Sequence, residues 1–281
     1  MRKILLMILS LSFSLFPLLS GQADVPSSSM TLLAITLPQK GDALLLRCES
    51  SVYLIDTGKE ESFSKLYDVL KAEGAEALTG VIITHTDKDH AGGLAQLVNS
   101  DIEIGEVYAS AYYNKKSEKK HPAVKALKGT GKQVRFLSAG DSIPLSGGTM
   151  AVLGPLTHDE ETENNNSLVI LASCGSGSIL LTGDMEFPEE ESLLKAGQIP
   201  QADVIKIGNH GDDDATSAQL LTTVRPKFAV ISTNSGDEPD TPSPRVLRLL
   251  KNQNIPYLLT QDAQSGVEIT LEGGEIKTKL K

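Results

Sequence analysis

Thr84-His85-Thr86-Asp87-Lys88-Asp89-His90-Ala91-Gly92-Gly93 places two histidines and two aspartates within six consecutive positions. The stretch follows the apolar, β-branched run Val81-Ile82-Ile83 and leads into Leu94. Such a pattern predicts a loop that leaves a buried strand and enters a helix. A helix start needs one such side chain as a cap, not four. A metal centre uses all of them, because imidazole nitrogen and carboxylate oxygen are the donors that borderline and hard divalent cations take. In the spacing H-x-D-x-D-H alternate side chains point one way, while the neighbours Asp89 and His90 point another. One short loop can therefore feed two adjacent metal positions.

Around this loop the chain alternates strand and helix patterns. Strands are expected over 31–37, 43–48, 52–55, 80–84 and 106–109, with helices over 64–72 and 94–98. Further strands are expected over 134–137, 150–153, 168–173 and 178–182, the last two joined by the turn Gly175-Ser176-Gly177. A helix over 189–196 precedes strands over 204–207, 228–232 and 257–260, with helices over 215–223 and 244–251 between them. A hairpin over 267–279 around Gly273-Gly274 closes the sequence. No fixed-period repeat interrupts this order. It predicts an α+β domain in which two mixed sheets carry helices on their outer faces.

The 281 residues suffice for one large domain or two ordinary ones. A formal charge of -10 argues against polyanion binding through net charge. The N-terminus has the layout of a secretory signal: Met1-Arg2-Lys3, an apolar run from Ile4 to Leu19, then Gly21-Gln22-Ala23. Cleavage after Ala23 is expected. The run is shorter than the ~20 residues a membrane span needs and contains Pro17, so an uncleaved anchor is the weaker alternative. The expected organisation is a signal peptide over 1–23, a flexible lead over 24–30 and one domain over 31–281. After cleavage the protein is expected in the periplasm or outside the cell, with no stable membrane span. Cys48 and Cys174 both end apolar strand-like runs. Export permits a disulfide between them, but two buried free thiols are equally ordinary and are the preferred reading.

Four more polar segments fall at strand ends: Asp56-Thr57-Gly58, Asn164-Asn165-Asn166-Ser167, Thr182-Gly183-Asp184 and Asn209-His210-Gly211. Together with Gly41-Asp42-Ala43, the segment 202–208, Val224-Arg225-Pro226-Lys227 and Pro242-Ser243-Pro244, they form a series. In this order the series resembles the metallo-β-lactamase-fold hydrolases. It is similar, more narrowly, to the extracellular hydrolase domain of the competence protein ComEC, over nearly all of the chain beyond the signal segment.

The resemblance implies a four-layer αββα sandwich with two divalent metal ions, Zn or Mn, at one edge. By position, His85 and Asp87 would bind the first metal, Asp89 and His90 the second, and Asp184 would bridge them. His210 would complete the second site, and Asp56 would brace the loop without binding metal. Asp89 is also the residue expected to matter most for catalysis, and Asn166 and Ser167 are candidates for substrate contact. Two dications ~3.5–4 Å apart lower the pKa of a shared water, and the hydroxide so formed can attack a phosphorus or carbonyl centre. Asn209 stands where the family often has the first histidine of His-His-Gly-Ser, and Asp240-Thr241 stand where it often has another.

Eight basic residues lie within 115–135, among them Lys115, Lys116, Lys119 and Lys120, with Glu118 the only acid. This reversal in an acidic chain reads either as a solvated face or as a phosphate-tracking patch for nucleic acid. Tyr108, Tyr112 and Tyr113 precede it and are candidates for base stacking. His121 and His158 fall in polar loops and are expected to be exposed. The expected function is an exported, metal-dependent phosphodiesterase or nuclease. The alternatives are an esterase or lactonase on the same fold, or a non-catalytic metal-binding sensor with a degraded second site.

Overall fold

β1 (Met30–Ile35) shows the rule that builds both sheets. Met30, Leu32 and Ala34 enter one apolar cluster, and Leu33 and Ile35 enter another. Successive side chains of a strand point to opposite faces, so a strand apolar on both faces must be covered on both. The computed structural model describes residues 28–281. The expected signal peptide over 1–23 and the first part of the expected lead lie outside the described residues. Met30, placed in the lead by the sequence, is instead a buried residue of β1.

After β1 come β2 (Leu44–Cys48), β3 (Ser51–Ile55), α1 (Phe63–Ala72), β4 (Ala77–Ile83), α2 (Lys88–Ala91) and α3 (Leu94–Val98). They are followed by β5 (Glu103–Ser110), α4 (Pro122–Ala126), β6 (Val134–Leu137), β7 (Ser142–Leu145), β8 (Gly148–Gly154) and β9 (Val169–Cys174). Next are β10 (Gly177–Leu181), α5 (Phe187–Lys195), β11 (Val204–Lys206), α6 (Ala218–Val224) and β12 (Phe228–Ile231). α7 (Pro244–Asn252), β13 (Tyr257–Leu259), β14 (Gly266–Glu272) and β15 (Glu275–Leu280) complete the described elements.

The first sheet has the order β15-β14-β1-β2-β3-β4-β5-β6 and the second β13-β12-β11-β10-β9-β8-β7. Residues from both sheets, such as Leu46, Ile55, Ile170 and Leu181, form the central apolar layer. Leu66 and Leu70 of α1, Leu94 and Leu97 of α3 and Ala123 of α4 cover the outer face of the first sheet. Leu193 of α5, Leu220 and Val224 of α6, and Val246 and Leu250 of α7 cover that of the second. This is the αββα sandwich that the motif series implies. α7 shows how the sequence starts such a helix. Ser243 Oγ accepts from Val246 N at 3.3 Å and Pro244 sits in the first turn, where no intrahelical N–H is lost.

β7 has no counterpart among the strands expected from sequence. It is short, carries Pro144, and pairs on one side only, with β8. An edge is where a sheet tolerates proline. Ile143 and Leu145 still face the core.

The two cysteines are paired, which corrects the preference for free thiols. Cys48 ends β2 in the first sheet and Cys174 ends β9 in the second, with Cα atoms 6.3 Å apart. Their separation of 126 positions in the sequence hid this proximity. The bond staples sheet to sheet across the core. Replacing both cysteines by alanine is expected to lower stability by about 2–4 kcal/mol, measured as a shift in the urea midpoint. The same shift on reducing the unaltered protein, and none on treating the variant with reductant, would assign the loss to the bond.

Candidate metal centre

Parallel pairing brings the polar segments to one edge. β3, β4, β5 and β6 run parallel to one another, as do β10, β11, β12 and β13. Their carboxyl ends therefore open on the same rim of each sheet. Asp56 follows β3, Thr84 and His85 follow β4, Asp184 follows β10, Lys206 ends β11, and Ser232 follows β12.

Backbone contacts lock the histidine-aspartate loop against the segment after β3. Asp42 N donates to Asp89 O at 2.9 Å, Thr57 N to His90 O at 2.6 Å, and Gly93 N to Gly58 O at 3.0 Å. A Cβ on Gly93 would lie 2.3 Å from the Thr57 carbonyl oxygen, so only glycine allows this approach. Asp56 takes a left-handed conformation, with φ 62°. Its Oδ1 accepts from Thr84 N at 2.8 Å, and its Oδ2 accepts from Thr84 Oγ1 at 2.7 Å and faces His90 Nδ1 at 2.8 Å. Asp56 thus ties the end of β4 to the loop.

The hydrogen bonds fix which nitrogen each histidine offers. His210 Nδ1 lies 2.9 Å from the carbonyl oxygen of Ser232, which can only accept. Nδ1 therefore carries the proton, and Nε2 presents a lone pair. That lone pair faces Asp184 Oδ2 at 3.2 Å and Asp89 Oδ2 at 3.9 Å. The Thr84 hydroxyl donates to Asp56, so it accepts from His85 Nδ1, 3.1 Å away. His85 Nε2 is then also a lone pair, 3.8 Å from Asp87 Oδ2. His90 Nδ1 donates to Asp56, and its Nε2 lies 3.0 Å from Asp184 Oδ2.

His85 and His210 thus turn Nε2 lone pairs toward carboxylates, while His90 bridges Asp56 and Asp184. Among the described residues, His85 Nε2, His210 Nε2, Asp184 Oδ1 and Asp42 Oδ1 are buried side-chain atoms without a hydrogen-bond partner. Buried acceptors aimed at one another are costly unless a cation lies between them. His85, His90 and Asp184 offer ligand atoms within 4.8 Å of one another, and so do Asp89, His90 and His210. The donor set fits divalent metals of the Zn or Mn kind. Asp87 and Asp89 are the more open members, with side chains 44% and 20% exposed.

Charge is held tightly here. Burial works against ionising Asp184, but His210, His90 and Lys206 override it and hold the carboxyl well below its usual range. Burial likewise opposes a charged His90, yet the Asp184 and Asp56 carboxylates push its pKa well up. For His85 burial wins, and together with the neighbouring His90 it lowers the pKa. Burial raises that of Asp87.

Two members of the centre carry no role in the sequence analysis. Lys206 is fully buried, with Nζ 2.5 Å from Asp42 Oδ2 and 3.0 Å from the Gly183 carbonyl oxygen. Asp42 is buried as well. Both lie in segments of the motif series, but strand periodicity marks position 206 only as an inward apolar site. Asn209, by contrast, turns outward, and its Nδ2 donates to Asp214 Oδ1 at 3.0 Å.

The remaining expected residues divide. Ser167 is buried at the site, where its Oγ lies 3.2 Å from His85 Nδ1 and accepts from Asp184 N at 3.0 Å. Asn166 is also fully buried, but its amide donates to Asp159 O at 2.8 Å, which shapes the loop instead of facing a substrate. Lys116, Lys119 and Lys120 are exposed, and Lys115 is half-buried. His121 is buried, contrary to expectation. It accepts from Ala123 N to cap α4, and burial pushes its pKa down to about 4. Tyr108 is buried in the core and Tyr113 packs on His121 and Phe136, which removes both as stacking surfaces. Tyr112 stacks on the exposed His158, with ring centroids 5.9 Å apart. One carboxylate joins the metal loop to this region. Glu163 Oε1 accepts from Thr86 N at 3.1 Å and its Oε2 from Asn114 N at 2.6 Å.

The family model of the metallo-beta-lactamase superfamily matches residues 37–235, and the chain belongs to that superfamily. It is 26% identical over 264 residues to ComE operon protein 3 of Bacillus subtilis, covering 88% of this chain and 33% of that protein. It is 26% identical over 255 residues to Competence protein ComA of Neisseria gonorrhoeae, again covering 88% and 33%. The chain thus spans about a third of the length of these curated relatives. Among solved structures, the metallo-beta-lactamase fold protein YhfI from Bacillus subtilis superposes with a TM-score of 0.59 at 14% identity. That match covers 87% of this chain and 100% of YhfI, and it shows the shared fold.

Asp56→Asn keeps the size of the brace but removes the charge that orients His90. Metal affinity is expected to fall about 10–100-fold with cooperative unfolding retained. Equilibrium dialysis against Mn²⁺ or Zn²⁺ measures it, and an unchanged affinity would leave Asp56 as a loop brace only.

Proposed function

We propose that this metallo-beta-lactamase superfamily member is an exported hydrolase of phosphodiesters, with nucleic acid as its substrate class. The carrying observation is the pair of buried, unpartnered Nε2 atoms of His85 and His210, turned with Asp184 into one box of carboxylates. His85 and Asp87 would hold one metal, Asp89, His90 and His210 the other, and Asp184 would serve both. The inward turn of His210, with Asn209 directed away, supports a complete second position and weighs against a degraded sensor. Among the described residues, no helix is long and apolar enough to cross a membrane.

Bound dications supply Lewis acidity, which lowers the pKa of water and offsets charge on phosphoryl oxygens. The chain supplies the geometry and the proton path. Asp89 is the partly exposed carboxylate beside the buried histidines, its Oδ2 3.9 Å from His210 Nε2; with dications bound, one of its oxygens would help hold the second ion and the other would accept the proton of the attacking water. Asp56 keeps His90 turned so that its Nε2 faces inward. The Thr84 and Ser167 hydroxyls fix His85. Ser167 also holds the Asp184 backbone, which keeps the central carboxylate in place as charge develops.

The substrate class rests on the lysine segment. Glu163 links Thr86, beside Asp87, to Asn114, at the start of that segment. A chain of phosphates bound along Lys115, Lys116, Lys119 and Lys120 would therefore approach the open, Asp87 side of the centre. Small esters would gain nothing from this arrangement.

Asp89→Ala is expected to reduce hydrolysis of bis(p-nitrophenyl) phosphate at least about a hundredfold while the melting curve stays cooperative. The unaltered protein should bind two Mn²⁺ or Zn²⁺ per chain. Undiminished turnover in the variant, or a single bound metal, would sink the reading. Changing the four lysines together to serine is expected to weaken binding of single-stranded DNA. Its salt slope should fall by roughly 0.7 for each phosphate that is no longer neutralised. An unaltered slope would make the segment a solvated face.

A further inference from the structure

Lys206 sits where the sheet calls for an apolar side chain. On β11 it alternates with Val204 on the inner face, and its cross-strand partners are Leu181 and Val230, both members of the central apolar layer. Burying an ammonium there is costly unless it is fully paired. Its three partners are Asp42 Oδ2 at 2.5 Å, the Gly183 carbonyl oxygen at 3.0 Å and Asp184 Oδ1 at 3.5 Å. Among the described residues, no other lysine or arginine ion-pairs with Asp42, Asp56, Asp87, Asp89 or Asp184. Asp42, Asp184 and His210 themselves offer ligand atoms within 4.8 Å of one another, a group of the size that holds a metal ion. The lysine contacts two of these three residues.

We propose that Lys206 is a resident counter-ion: it holds the carboxylate box together before metal arrives and withholds Asp42 from the ligand set. The inference rests on the metal reading of this site and adds a specific sign to it. A fixed positive charge beside Asp184 stabilises the metal-free protein, because it offsets repulsion among buried carboxylates. The same charge opposes the incoming dications. Lys206 therefore trades metal affinity for a fold that does not depend on metal. A lysine that only oriented Asp184 for coordination would have the opposite effect on affinity.

Lys206→Met tests the sign, because it keeps the length of the side chain and removes the charge. After treatment with chelator, the variant is expected to melt lower than the unaltered protein by about 5 °C or more. Saturating Mn²⁺ or Zn²⁺ is expected to close most of that gap, with metal binding tightened about tenfold in titration calorimetry. Equal or weaker metal binding in the variant would overturn the proposal, as would a melting deficit that metal leaves untouched. If the metal-free variant does not fold, refolding it with metal decides: recovery of the cooperative transition supports the proposal, and failure overturns it. The pair Asp42→Asn with Lys206→Met should restore metal-free melting most of the way. A double variant no more stable than Lys206→Met alone would assign the lysine a packing role and overturn the proposal. Failure of the unaltered protein to bind either metal would count against the metal reading itself and is separable from all of these outcomes.

Discussion

Repulsion among carboxylates is the constraint on which the rest of this structure depends. Asp42, Asp56 and Asp184 are fully buried and Asp87 and Asp89 partly so, all around three histidines. Left to themselves, such groups would draw in water and force the sheet edges apart. The three buried ones stay together because each has a fixed partner: Asp56 the Thr84 backbone and hydroxyl, Asp42 the Lys206 ammonium, and Asp184 the His90 imidazole. The Nε2 atoms of His85 and His210, left without hydrogen-bond partners, face Asp87 and Asp184 respectively, which is where a cation would fit.

That convergence needs a rigid frame, and the sandwich supplies it. The ligand-bearing segments start from strand ends in two different sheets, so the distance between the sheets sets the distance between ligands. A continuous apolar layer fixes that distance, and the Cys48–Cys174 bond fastens the two sheets to each other. The loop that carries His85 and His90 is held by backbone contacts to Thr57 and Gly58, so its register does not rest on side chains alone. Gly93 is required there for lack of a side chain, as the Thr57 carbonyl occupies the space a Cβ would take.

The sequence made the loop and the layering legible for the same reason: both are local. Ligand spacing over 85–90 and the apolar runs of β1, β4 and β10 are properties of short segments. What escaped is relational. The cysteine pair joins positions 126 residues apart. Burial of His121 follows from Tyr113 and Phe136 packing on its ring, a contact between segments. Lys206 reads as an exception in an otherwise apolar strand, and only the position of Asp42 explains it. β7 escapes because four residues with a proline carry too little pattern to stand out. Of the three tyrosines, only the fold could separate the buried Tyr108 from the accessible Tyr112.

The two halves of the centre are unequal, and the inequality gives the site a direction. His90, His210 and Asp184 are buried and each is held by a second group, with Asp89 the one partly exposed side chain beside them. Around His85 the partner carboxylate, Asp87, is the most exposed of the five aspartates, and burial raises its pKa. A ligand that is both open and reluctant to ionise gains most from a nearby positive charge. The lysine segment begins on this side, joined to Thr86 through Glu163. If the substrate is a polyanion, as proposed, the net charge of -10 repels it from most directions, and the lysines at the open half would admit it along a single approach. His90, His210 and Asp184 would then need no contact with a substrate chain: held by Asp56, the Ser232 carbonyl and Ser167, they would keep the central carboxylate fixed while Asp87 and Asp89 face the open side.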